Sequence, residues 1–256
     1  MKKAVVILTR GYDNINKYNT LIQRNISIAI NLQDKINTPI IIFHEGNINS
    51  RDQAFISKKT PLLNILFVDV KIQNKAFKDE KSNIIFYPPT NDFKLGYRHM
   101  CSFWFVNFFD YVNDYDYILR IDEDCVINFN IDNIFLQLTR KTIVYGKWVG
   151  DDDFVTKGLN KFTLQFINKN KYNFKKNSRL PSGPYTNVIG FNMNNLRQNQ
   201  IVQQYIQQIK FSNCIYIYRW GDLPLWGEVI YYFLNKNEYA ELNEIKYYHG
   251  SHRVFI

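Results

Sequence analysis

Residues 4–8 (AVVIL) form an unbroken apolar run that ends at Thr9-Arg10-Gly11, which predicts a buried strand emptying into a loop. Over residues 19–33 the apolar positions Ile22, Ile26, Ala29 and Ile30 recur at helical spacing and predict one amphipathic helix. Pro39 then opens a second buried strand at 40–43, and residues 64–70 read as a third. Strand, helix, strand with wholly apolar strands predicts an α/β fold, a mostly parallel central sheet flanked by helices.

Pro88-Pro89 and the polar residues 90–94 interrupt this pattern before a helix expected over 96–111. Residues 115–121 form the next buried strand, and it runs directly into Asp122-Glu123-Asp124. Ligands of open α/β sheets bind outside the carboxyl ends of the strands, so a site is expected at this triplet. Further helical stripes fall at 199–210 and 223–234, with Pro181-Ser182-Gly183-Pro184 as a loop ahead of them, and there is no internal repeat.

The length of 256 residues suits one substantial core, so one domain spanning 1–256 is expected. Charge changes the picture more than length does. Residues 154–221 contain no Asp or Glu but seven Lys and three Arg, so this segment carries +10 of a net +9 and the remainder is −1. A basic lobe fits an anionic partner, such as a nucleoside diphosphate, an anionic glycan or a nucleic acid, and fits a solvated basic surface equally well. Cys101, Cys125 and Cys214 are sparse and odd in number, which favours reduced thiols over a disulfide framework. The apolar start is too short for a signal segment or a membrane span, so a soluble, cytoplasmic protein is expected.

Two carboxylates at a strand end can hold a divalent ion that bridges the phosphates of a nucleotide sugar, and hard oxygen ligands suit Mn²⁺ or Mg²⁺. An acidic triplet by itself also fits a solvated turn. Asp222 precedes Pro224 and reads as a helix N-cap, while a carboxylate beside Trp220 also suits a grip on sugar hydroxyls. His249 closes the apolar run 245–248, as a packing residue or as the nitrogen ligand of a metal site.

Four blocks, at 97–104 (YRHMCSFW), 116–124 (DYILRIDED), 218–224 (YRWGDLP) and 246–249 (KYYH), resemble in order and spacing the YRxMCRF, YYWRVEPD, ERWGDAP and GYYH blocks of glycosyltransferase family 15, the fungal α-1,2-mannosyltransferases. The resemblance implies a GT-A fold, GDP-mannose as donor, Mn²⁺ as cofactor and retaining transfer to the 2-hydroxyl of an α-mannoside on a glycan or glycoprotein. It implies a nucleotide-binding half at 1–125 and an acceptor-binding half at 126–256. Asp122, Asp124 and His249 stand at the metal positions. Thr9, Arg10, Gly11, Tyr97, Arg98 and Asp122 fall on the donor side. Tyr185, Trp220 and Asp222 fall on the acceptor side, with Asp222 the catalytic candidate. The family's membrane anchor and stem have no counterpart here, Glu123 replaces a proline, and Val188 stands where the family's NFEIG block has its Glu. Two other readings compete. A metal-dependent nucleic-acid enzyme or binder accounts for the basic segment but leaves 218–224 and 246–249 unexplained, and a catalytically inactive sugar-binding relative accounts for the missing Glu.

Overall fold

In the computed structural model, residues 1–72, 76–174 and 177–256 are described. The strands are β1 (Lys3–Leu8), β2 (Ile40–His44), β3 (Ile65–Asp69), β4 (Tyr117–Ile121), β5 (Cys125–Ile127), β6 (Ile143–Tyr145), β7 (Trp148–Gly150), β8 (Ser182–Pro184), β9 (Val188–Asn192), β10 (Tyr239–Glu241), β11 (Tyr247–His249) and β12 (Val254–Phe255). The α-helices are α1 (Asn19–Asn31), α2 (Ser50–Lys59), α3 (Leu95–Ser102), α4 (Ile131–Leu138), α5 (Leu159–Lys169), α6 (Met193–Gln198), α7 (Gln200–Ser212), α8 (Cys214–Tyr218) and α9 (Asp222–Phe233).

The main sheet has the order β10-β6-β9-β4-β1-β2-β3. It is parallel except at β9, which runs antiparallel to both β4 and β6. Two small sheets, β12-β11-β5 and β7-β8, complete the fold, and the first carries Cys125 and His249. One face of the main sheet packs against an aromatic core that includes Trp104, Phe105, Phe108, Tyr205 and Trp226. The other packs against Ile28 and Leu32 around α1 and against Ile134 and Phe135 of α4.

Asparagine, frequent along the chain, is used at helix starts. Asn49, Asn130, Asn192 and Asn199 each cap a helix by accepting a backbone N–H of its first turn. In α2, Asp52 in the first turn and Lys58 and Lys59 in the last also match the helix dipole. The sequence pattern misses α2, because only Asp52 and Ile56 of that helix are buried and no apolar stripe marks it. The helix expected over 96–111 is instead three pieces: α3, a π turn at Phe103–Asn107 and a 3-10 turn at Phe108–Tyr111. Residues 103–108 are all buried, so this stretch has no solvent face and departs from amphipathic periodicity.

The expected loop at 181–184 contains β8. A Cβ on Gly183 would lie 2.0 Å from the Leu223 carbonyl oxygen, and one on Gly227 would lie 1.8 Å from that of Ser182. Backbone therefore packs on backbone where α9 crosses β8, and that contact sets the position of Asp222. Among the described residues no helix is long and apolar enough to cross a membrane.

Candidate active site

Side chains two apart on a strand share a face, so Arg120 and Asp122 point together from the end of β4. The Arg120 guanidinium donates through Nε and Nη2 to the two Asp122 oxygens, at 2.7 and 2.9 Å. Its Nη1 donates to Asp222 at 2.5 Å, and its plane lies 4.4 Å from the Trp104 ring centre. Burial opposes this charge, but Asp122 and Asp222 outweigh it and hold the Arg120 pKa above its ordinary value. Arg120 and Asp222 are both buried, so the pair is exchanged for solvent only at high cost. Asp222 is not the N-cap expected from the sequence. Gly221 occupies the cap position, and Asp222 is the first helical residue, one of its oxygens engaged by Arg120.

The turn after Asp122 leads into β5, and β11 pairs with that strand so that His249 stands directly opposite Cys125. His249 Nε2 lies 3.3 Å from an Asp124 oxygen. The segment after His249 closes over Asp124: Gly250 N–H donates to its carbonyl at 2.8 Å, while Ser251 donates to its carboxylate through both N–H, at 2.9 Å, and Oγ. Burial works against the Asp124 charge, yet hydrogen bonds from His249 and Ser251 outweigh it and hold the carboxyl well below the usual range. Tyr185 Oη meets His249 Nδ1 at 3.0 Å, and Asn187, just ahead of β9, donates to Asp122 at 3.1 Å.

Glu123 points toward the first strand. It accepts from Thr9 Oγ1 at 2.5 Å and from Tyr12 Oη at 2.7 Å, and Arg10 stacks 5.2 Å from the Tyr12 ring. Burial raises the Glu123 pKa against the pull of these two donors. Thr9, Arg10, Tyr12, Tyr97, Arg120 and the acidic triplet line one cleft of about 640 Å³. The Tyr97 ring is held there by Arg219, which donates to Tyr97 Oη at 2.7 Å and to Asp151 at 2.8 Å. Arg219 adopts φ of 65°, a left-handed conformation unusual for a side chain of its size, at the break between α8 and α9.

Three expected site residues face elsewhere. Arg98 is 0% exposed, and its guanidinium donates to the carbonyls of Phe93, Thr90 and Tyr216 at 2.9, 2.6 and 2.7 Å, so it braces the fold rather than the donor side. Trp220 is 1% exposed, its indole N–H bound to the Lys157 carbonyl at 2.9 Å, which removes it as an acceptor platform. Gly11 lies beneath the Asn47 backbone, where a Cβ would come within 1.9 Å of a carbonyl oxygen; close chain packing, not approach to a ligand, requires glycine there. The metal candidates also divide. Asp124 and His249 meet and present an oxygen and a nitrogen, a donor pair that fits Mn²⁺, whereas both Asp122 oxygens are turned to Arg120.

No protein-family model and no curated protein sequence matches the chain. The structure is similar to the mannosyltransferase Ktr4p of S. cerevisiae, with a TM-score of 0.80 at 16% identity over 97% of this chain and 70% of that one. The fold is that of the fungal mannosyltransferases. Core-mannan synthase A of Aspergillus fumigatus, in its Mn/GDP form, gives 0.78 at 16% identity over 96% and 74% of the two chains. Mouse xyloside xylosyltransferase 1 gives 0.55 at 15% identity over 94% and 84%. The GT-A architecture implied by the four blocks is thus the one the chain adopts, with 116–124, 218–224 and 246–249 gathered around Arg120, Asp124 and His249.

Proposed function

We propose that this chain is a glycosyltransferase that moves a sugar, with mannose from GDP-mannose as the first candidate, onto a hydroxyl of a glycan or glycoprotein. The meeting of Asp124, which lines the cleft outside β1 and β4, with the buried His249 carries this reading. The yeast neighbour in complex with GDP and the Aspergillus neighbour in its Mn/GDP form support GDP and Mn²⁺ for this site. Asp124 and His249 would hold a divalent ion, which would neutralise the charge on the departing diphosphate. Thr9, Arg10, Tyr12 and Glu123 border the nucleoside, and Tyr97, fixed by Arg219, closes the cleft from the other side.

Retention by double displacement needs a carboxylate beneath the anomeric carbon. Val188, where the family resemblance puts one, is a fully buried residue of β9, and no Asp or Glu occurs at 154–221. In this proposal the acceptor attacks on the face the diphosphate leaves, and its proton passes to a diphosphate oxygen. Asp222 orients the acceptor hydroxyl, with Arg120 fixing one of its two oxygens.

Thermal-shift titration with GDP, UDP and their sugars, with and without Mn²⁺, tests the proposal. GDP and Mn²⁺ should each bind much more tightly in the presence of the other, and Asp124→Ala or His249→Ala should abolish that coupling in a folded protein. GDP binding indifferent to chelator, or a hexose adduct trapped on any side chain, sinks the metal assignment or the same-face mechanism respectively.

A further inference from the structure

The sulfur of Cys125 stands in the same cluster as the two proposed ligands. Directly opposed residues of an antiparallel pair send their side chains to one face, and Cys125 is opposed to His249. The Cys125 Sγ, a carboxylate oxygen of Asp124 and a ring nitrogen of His249 all lie within 4.8 Å of one another, and no other such cluster occurs among the described residues. Around a tetrahedral zinc-class ion, ligand atoms sit roughly 3.5 Å apart, so small side-chain rotations close this triangle. The supporting groups are also present: Ser251 holds Asp124, and Tyr185 meets His249 Nδ1, so that with an ion on Nε2 the Nδ1–H donates to the tyrosine oxygen.

We propose that Asp124, Cys125 and His249 form a site for a thiophilic divalent ion of the zinc class, held in the absence of nucleotide. Mn²⁺ and Mg²⁺ gain little from sulfur and need diphosphate oxygens to complete their shell, whereas Zn²⁺ or Co²⁺ takes sulfur, nitrogen and oxygen from the protein and leaves a fourth position open. Coordination replaces the S–H bond by a metal–sulfur bond, and the proton leaves to solvent, so no oxidant or reductant is involved. The proposed site shares Asp124 and His249 with the glycosyltransferase reading but is measured without nucleotide, so either can fail alone.

The test is a Co²⁺ titration of metal-free, full-length protein without nucleotide, followed by optical absorption. The expected result is a near-ultraviolet thiolate-to-cobalt band, release of one proton per ion, and loss of the band on adding Zn²⁺. Cys125→Val, which keeps the packing volume but not the ligand, should lack the band and bind Zn²⁺ about a hundredfold more weakly or worse, beyond the usual cost of losing a supporting group. X-ray absorption at the zinc edge of the unmodified protein, which needs no variant, should show one sulfur at about 2.3 Å. A zinc shell of nitrogen and oxygen alone, a band that persists in Cys125→Val, or Co²⁺ binding only with GDP overturns the proposal and leaves Cys125 a packing residue.

Discussion

Two buried arginines solve the same problem in opposite ways. Arg98, in α3, is surrounded by the carbonyls of Phe93, Thr90 and Tyr216 and stacks 3.8 Å from the Phe86 ring centre. Its charge is stabilised by neutral dipoles that cannot leave, and burial lowers its pKa to about 10. Arg120, at the end of β4, is held between two carboxylates, Asp122 and Asp222, and its pKa is raised. The comparison teaches where chemistry sits in this fold. Carbonyl neighbours make a rigid brace, while carboxylate neighbours keep ionisable groups together in the wall of the cleft that Arg120 and Asp122 line.

The widest separation between the two comes from removing each charge. Arg120→Met leaves Asp122 and Asp222 buried without a counter-charge and should cost about 3–5 kcal/mol at neutral pH. Burial already raises the Asp122 pKa against the pull of Arg120, and losing that counter-charge raises it further, so folding takes up protons and the deficit shrinks as pH falls from about 7 to 5. Arg98→Met should cost about 3 kcal/mol through its lost charged hydrogen bonds, with no recovery over the same range, because its partners do not titrate. Denaturant unfolding at the two pH values checks both, and equal pH responses would erase the distinction.

At the site itself, Asp222→Asn keeps an oxygen for Arg120 but removes the negative charge. It should lower turnover by about a hundredfold or more and cost less stability than Arg120→Met, because Asp122 still pairs with Arg120; steady-state kinetics on the accepted donor and denaturant unfolding check the two. The smallest effect is expected where a carboxylate is bound by exposed groups. The Asp124 pKa is depressed in the folded state, so its contribution is present above the unfolded value near 4 and lost as pH falls below it. Ser251→Ala removes one of its donors and should cost about 1 kcal/mol at neutral pH, fading below about pH 4. A penalty that persists in acid would mean that Ser251 acts through loop packing instead.

Much of this was legible in the residues because the signals were local. Apolar runs mark β1, β2 and β4, and the acidic triplet at the end of β4 marks the site before any contact is known. The alternation of Arg120 with Asp122 on one strand is a readable sign of their pairing, and Arg219 lies within the 218–224 block, although nothing local marks either arginine as facing a site. Tyr12 and Asn187 carried no such sign, since hydroxyls and amides recur throughout the chain.

What the sequence determined by itself is the order of apolar strands and the placing of carboxylates and His249 at strand ends, because periodicity and chain punctuation are properties of neighbouring residues. Which of these groups meet was decided by the tertiary structure alone. The crossing of α9 over β8 through Gly183 and Gly227 carries Asp222 to Arg120, and the pairing of β11 with β5 carries His249 to Asp124 and Cys125. The same folding turns Arg98 and Trp220 inward, although they lie in blocks that read as functional. A motif states which groups are available, whereas burial and register determine which of them face the cleft.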